Sequence, residues 1–330
     1  MRVGIIGATG MLGHHTALAL KARGHELTVV HRPDSNLDKL GDLQYTARAA
    51  DLNDAQAMER ALQSLDAVIN CAAHYPTLPR PWREDVNIGV TQMENFYRAC
   101  EAAQLKQIVY LGGGIALRKH PDGEAGDESL EYPGAPADKN PYVQVKWAMD
   151  QQALQKAREG LPVCIGIPTM TFGEYDFGPT TGAFIVETVN RTLPGYVNGK
   201  RNVIYAGDAG RGLALTIEKG RPGERYLITG QNMHLSEVIE MIAQAGGVPT
   251  PKSVPLGIVK LLSRVQELRY KIGLGPVPKI SRTAVAVMGA GQFLDGAKAE
   301  RELGYKPEVS IEEAVKRALN WFRDAGYIRE

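Results

Sequence analysis

Short apolar runs rich in β-branched residues alternate with segments whose apolar positions recur three and four apart, and this rhythm fills the first half of the chain. Arg2 to Ile6 predicts a strand, Met11 to Ala22 a helix, Glu26 to Val30 a strand and Ala55 to Leu65 a helix. Ala67 to Cys71 predicts the next strand, Thr91 to Ala103 a helix and Gln107 to Leu111 another strand. Asn140-Pro141 introduces a helix to Arg158, because proline suits a helix's first turn, and Leu161 to Ile167 is the following strand. Such alternation implies a parallel sheet joined by right-handed crossovers. The expected fold class is α/β: a Rossmann-type doubly wound parallel sheet with a smaller C-terminal substrate lobe.

After Pro168 the pattern breaks into short pieces punctuated by Gly173, Gly178, Pro179, Gly182, Pro194, Gly195 and Gly199. The expected division is therefore a cofactor domain over residues 1–168, with residues 169–330 mainly forming the lobe. Residues 200–222, carrying a strand from Val203 to Tyr205 and a helix capped by Asp208, are expected to pack back on the sheet. So is a closing helix from Ile311 to Phe322. Val254 to Leu268, with Leu, Ile and Val at helical spacing, predicts a lobe helix closing over substrate rather than a membrane anchor.

Composition narrows the function classes. The chain has 330 residues, 44% of them apolar and 23% charged, with a formal charge of +1, which fits a globular protein and argues against a nucleic-acid-coating or disordered one. Its apolar stretches are too short to span a bilayer, so no membrane partner is expected. Cys71, Cys100 and Cys164 lack the spacing of a disulfide framework or a zinc site, and the amino-terminal apolar run is too short for a signal peptide. A cytoplasmic protein acting on a small molecule is expected. His14-His15 are adjacent on a helix and share no face, so no metal site is predicted.

Gly7-Ala8-Thr9-Gly10-Met11-Leu12-Gly13 lies at the carboxyl end of the first strand and opens a helix. Glycines there allow a tight turn and close approach of backbone to a pyrophosphate, whose charge the helix amino terminus favours. An overlapping glycine frame begins at Gly4, which sits inside the strand and reads as a packing residue. The second strand ends in His31-Arg32 with no acid at its tip; a carboxylate would repel a 2′-phosphate and a guanidinium could pair with it, so NADP is favoured over NAD. Asp51-Leu52 follows small residues where an acid could bond the adenine amino group, whereas Asp54 reads as a helix cap.

Tyr142 and Lys146 stand four apart near a helix start, so phenol and ammonium share one face. An adjacent cation and an oxidised nicotinamide would favour the phenolate, making Tyr142 a usable acid or base. Lys146 would also hold ribose hydroxyls. A second such pair, Tyr196 and Lys200, encloses Asn-Gly, a turn signal, and is set aside.

Taken together these segments resemble the extended short-chain dehydrogenase/reductase family, also called the NAD-dependent epimerase/dehydratase family. The resemblance runs over almost the whole chain. Asn70-Cys71-Ala72-Ala73 matches the cofactor-lining segment, and Asn87 falls in the family's Asn-x-x-Gly/Thr region. YVQVK matches the Tyr-Lys motif, Pro168-Thr169-Met170-Thr171 a strand-end motif, and the stretches from Phe293 and Glu302 its carboxyl-terminal segment. It implies cofactor contacts at Cys71, Ala72, Ala73, Pro168 and Thr169, substrate contacts at Gly114 and Thr171, and a homodimer through the two long helices. The look is closest to dihydroflavonol reductase-like or hopanoid-associated sugar epimerase-like members. One departure stands out: where the family has a Ser or Thr beside the substrate oxygen, this chain has Gly113. A water, a backbone N–H, or the hydroxyl of Thr169 or Thr171 could replace that donor. Three functions stay open: a reductase moving hydride between nicotinamide C4 and a carbonyl or secondary alcohol, a nucleoside-diphosphate-sugar epimerase or dehydratase, and a non-catalytic NADP-binding sensor.

Overall fold

A computed structural model describes residues 1–329 except 77, 79, 277 and 279. β1 (Arg2–Ile6), α1 (Met11–Ala22), β2 (Glu26–His31), β3 (Thr46–Ala49), α2 (Ala55–Leu62), β4 (Ala67–Asn70), α3 (Trp82–Ala102), β5 (Gln107–Leu111), α4 (Pro141–Arg158) and β6 (Val163–Pro168) run in the expected alternation. They are followed by β7 (Met170–Phe172), α5 (Ala183–Val189), β8 (Lys200–Tyr205), α6 (Ala206–Lys219), β9 (Arg225–Ile228) and β10 (Gln231–His234). The chain ends through α7 (Leu235–Gly246), α8 (Leu256–Lys271), α9 (Arg282–Gly289), α10 (Ala297–Leu303) and α11 (Ile311–Asp324).

Among the described residues, parallel strands form a sheet in the order β3-β2-β1-β4-β5-β6-β9, and a smaller sheet runs β10-β8-β7. Strand alternation sorts the core. Val3, Ile5, Val29, Ile69 and Val109 face one layer with Leu20 of α1, Leu213 of α6 and Leu303 of α10. Ile6, Val30, Val68, Ile108 and Tyr110 face the other, with Met58 of α2, Phe96 of α3 and Met149 of α4. In register, Ile6 lies opposite both Val30 and Asn70, and Asn70 opposite Tyr110, so the carboxyl ends of β1, β2, β4 and β5 line up along one edge. The strand order reverses between β1 and β4, where open α/β sheets bind ligands.

Several sequence expectations need correction. α3 begins at Trp82 rather than Thr91, with Glu84 and Asp85 favourably placed in its first turn. α2 stops at Leu62, and Ser64 follows with a positive φ of 63°. β3 went unpredicted because it is an edge strand whose side chains are largely exposed and carry no apolar alternation. β8 joins the small sheet, and β9 takes the place on the main one, although α6 does pack there as expected. α11 packs not on the main sheet but in the lobe, where Val315, Leu319 and Phe322 meet Phe172, Ile185 and Ile239. Nor does Asp208 cap α6, whose N-cap is Tyr205. Buried in the first turn, its carboxylate accepts from the backbone N–H groups of Glu308 (2.8 Å) and Val309 (2.9 Å) and pairs with Arg211.

The deepest ionic contact joins α4 to β9. The Asp150 carboxylate, fully buried, accepts from Arg225 Nε at 3.1 Å, and Arg225 also pairs with Glu131. Burial nevertheless pushes the Asp150 carboxyl above the usual range. Removing one partner of such a pair strands the other charge, so Arg225→Met should cost about 3–5 kcal/mol in denaturant unfolding at neutral pH. The loss should shrink as pH falls and Asp150 takes up a proton.

Candidate functional site

At the centre of the aligned strand ends, the first turn of helix α1 closes on the turn after β1 through glycine. Gly7 has a φ of +85°, and a Cβ built on Gly13 would stand 2.1 Å from the Gly7 carbonyl oxygen. Gly10 N–H donates back to Gly7 O at 3.1 Å, and no side chain caps α1 at Gly10. The helix thus presents an uncapped positive end over a side-chain-free floor, a cradle suited to a dinucleotide's diphosphate. Thr9, Met11 and Leu12 are partly exposed around it.

The β2 tip forms one flank. Ala50 N–H donates to His31 O at 2.8 Å, which brings the end of β3, and Asp51 with it, beside His31 and Arg32. Arg32 is exposed, its Nε 3.5 Å from Asp34. Asp51 accepts from both the backbone and the side-chain nitrogen of Asn53 at 2.7 Å. Leu52 turns its side chain into the core between α2 and α3. Asp54 caps α2 as expected, accepting from Ala57 N–H at 2.9 Å. At the β4 tip, Asn70 Oδ1 accepts from Ala72 N–H at 2.9 Å and shapes the segment through Ala73. Burial pushes the Cys71 thiol up to about 12, which leaves it unreactive at neutral pH.

The other flank is the start of α4. Asn140 caps it by accepting from Tyr142 N–H at 3.0 Å, Pro141 fills the first position, and Gln144 ties the helix back to the carbonyls of Pro136 and Asp138. Tyr142 and Lys146 therefore leave one face, as the spacing predicts. The Lys146 side chain is 7% exposed and its Nζ lies 6.0 Å over the Tyr110 ring. Among the described residues its ammonium has no hydrogen bond or ion pair, and burial pulls it down to about 8, Asp150 opposing only partly. Tyr142 does not behave as expected. Burial, and then the neighbouring Tyr75, push its phenol above the ordinary value, with no opposing contribution from Lys146. Without a dinucleotide the phenol stays protonated.

Gly113 lies beside Lys146. A Cβ there would sit 3.8 Å from Lys146 Cδ and Cε, in ordinary contact, and its φ of −154° and ψ of 138° are open to any residue. Gly112, by contrast, would press a Cβ to 2.7 Å from Ile165. Gly114 faces Leu294, and its carbonyl accepts from Gln292. The threonines proposed as substitute donors are already engaged: Thr169 donates to Asn202 and Thr171 to Thr169 O, each at 2.8 Å. Pro168 ends β6 beside them, fully buried.

Some neighbours carried no recognisable sequence signal. Tyr75 packs its ring 5.0 Å from that of Tyr142, and His74 holds Asp85 at 2.8 Å, with the second Asp85 oxygen buried and unpaired. The run Cys-Ala-Ala-His-Tyr gave their place next to the β4 tip but not their partners on α3 and α4. His14 and His15 are structural: His14 stacks on Tyr175 at 3.8 Å, His15 lies 3.2 Å from Glu174 O, and burial pulls both down to about 4.

The model of the NAD dependent epimerase/dehydratase family matches residues 3–229, from β1 through β9. The chain belongs to that family. Within this extended short-chain dehydrogenase group, a structure described as PA4631, a nucleoside-diphosphate-sugar epimerase from Pseudomonas aeruginosa, is 40% identical and superposes with a TM-score of 0.87 over 100% of this chain and 99% of that one. A Synechocystis protein provisionally named dihydroflavonol 4-reductase is 28% identical over 98% of this chain and 95% of its own. Sterol demethylase protein B of Methylococcus capsulatus is 25% identical over 98% and 99%. Membership implies a pyridine dinucleotide, and the glycine cradle under α1 fits one.

An unpaired buried cation is a stability cost that the site carries for function. Because Lys146 is pulled from 10.5 to about 8, Lys146→Met should raise the unfolding free energy by about 3 kcal/mol at pH 7, while removing activity. The folded state binds fewer protons between those values, so the gain should shrink as pH climbs from about 8 towards 10.5. Chemical denaturation of both proteins across that range measures it.

Proposed function

We propose that the chain is an NADPH-dependent reductase acting on a carbonyl of a small organic substrate, with Tyr142 as proton donor. The observation that carries this reading is the phenol itself: held protonated by burial and by Tyr75, one turn from the unpartnered ammonium of Lys146. When bound, the dinucleotide supplies hydride at nicotinamide C4. Tyr142 gives its proton to the substrate oxygen as negative charge develops there. Lys146 holds the ribose hydroxyls and steadies the phenolate left behind. Gly7, Gly10 and Gly13 admit the diphosphate, Ala72 and Ala73 line the ring's path, and Gly113 leaves room for substrate or a bridging water.

The relatives' names support reduction in one case and sugar-nucleotide epimerisation in another. One observation favours the second reading. Lys119 and Arg201 line a cavity of about 480 Å³ whose lining includes no carboxylate, a place for a substrate anion such as a diphosphate. NADPH oxidation by a panel of ketones separates the two, since an epimerase turns over nucleotide sugars with no net NADPH loss. In the reductase, Tyr142→Phe should lower kcat by about 10²–10⁴, and Gly113→Ser, which the backbone accommodates, should raise it. Equal rates in Tyr142→Phe and the parent would remove the proton-donor role, and no turnover of any ketone or nucleotide sugar by the parent would favour a sensor.

NADP preference rests on Arg32. Its guanidinium is exposed at the β2 tip and only loosely engaged by Asp34. Arg32→Ala should raise KM for NADPH by roughly 10–100-fold and leave KM for NADH nearly unchanged, as steady-state kinetics with both cofactors would reveal.

A further inference from the structure

The sequence predicts a lobe helix closing over substrate rather than a membrane anchor, yet the apolar face of α8 is exposed. Among its described residues only Val259 and Ser263 are buried. Ile258, Leu261, Leu262, Val265, Leu268 and Ile272 are exposed, Leu261 and Leu268 each at 61%. At 3.6 residues per turn these six occupy roughly 120° of arc, a continuous stripe and not a scatter. Leu274, just beyond the helix, adds to it at 67%. Isolated exposed leucines need no explanation, but a stripe of this length on a soluble domain marks a contact surface.

Charge identifies the contact. α8 carries Lys260, Arg264, Arg269 and Lys271 against a single carboxylate, Glu267, which is paired with Lys271 at 2.8 Å. By helical spacing Lys260, Arg264 and Lys271 follow one margin of the stripe, and Arg269 falls within its arc, near the opposite margin. A second protein surface of ordinary composition would not call for an apolar band whose margin carries cations with one carboxylate among them, itself paired with Lys271. A helix lying in a bilayer interface does, with apolar side chains among the acyl chains and basic ones at anionic headgroups.

We propose that α8 docks the protein on an anionic membrane surface. No described helix is long and apolar enough to cross a membrane, so the contact is in-plane. Its position gives it meaning. α8 packs on α9, α9 packs on α4, and Leu256 at the start of α8 lines the 480 Å³ cavity together with Lys119 and Gly289, so the stripe begins beside that cavity. Docking is independent of the reductase reading and can stand or fall without it.

Co-sedimentation of the full chain with vesicles tests this. The protein should pellet with phosphatidylcholine vesicles containing about 30% phosphatidylglycerol and not with phosphatidylcholine alone, and about 0.5 M NaCl should weaken binding. Leu261→Asp with Leu268→Asp should reduce binding by about tenfold or more, with the melting temperature and the circular dichroism unchanged, because both residues are exposed. Lys260→Glu with Arg264→Glu should weaken it while leaving the stripe intact. Absence of binding to anionic vesicles, or binding that the double aspartate variant retains, overturns the proposal. So does a dimer in size-exclusion chromatography that this variant dissociates, which would assign the stripe to a second copy.

Discussion

A buried lysine ammonium with no hydrogen bond or ion pair among the described residues governs the rest of the site. Lys146 is held away from water by Tyr110 beneath it and by the packing of α4 on β6, and the carboxylate that opposes its burial, Asp150, is already bound to Arg225. Had Asp150 been free to pair with Lys146, the lysine would be neutralised and unavailable to a ligand. Arg225, reaching in from the first residue of β9, takes the carboxylate and leaves the cation unmatched. The arrangement stores electrostatic free energy that a ligand offering hydroxyl or phosphate oxygens can recover. It also explains why the phenol of Tyr142 is not drawn down in the unliganded protein, since burial acts on both groups and neither relieves the other.

Legibility in the sequence followed burial. The strands β1, β2, β4, β5 and β6 are covered on both faces and carry continuous apolar runs, and each was readable. β3, with Thr46-Ala47-Arg48-Ala49 mostly exposed at the sheet edge, had no such signature. β7 and β10 are too short for any periodicity to register, and their pairing with β8 depends on chain segments far apart in sequence. The glycine turn and the Tyr142–Lys146 spacing were local patterns and could be read directly. The contacts of Tyr75 with Tyr142, of His74 with Asp85 and of Arg225 with Asp150 are tertiary, and no local pattern encodes which partner a lone tyrosine or aspartate will find.

α8 shows the opposite failure. Its helical period was legible, but period tells only that one face is apolar, not whether protein, water or lipid lies against it. The apolar face does not point inward here, because α8 is attached through Val259, Ser263 and α9.

The segment after α9 re-enters the cofactor half of the molecule. Gly126 N–H donates to Phe293 O, Asp295 N–H donates to Gly126 O, and Asn232 grips Leu294 from both its N–H and its carbonyl. Residues 112–131 are thus stitched to residues 291–296, which the chain reaches only after building most of the lobe. Exchanging the lobe between relatives to change substrate preference therefore cannot be done with a single crossover near residue 168; a working chimaera would have to carry both strips of this seam from the same parent.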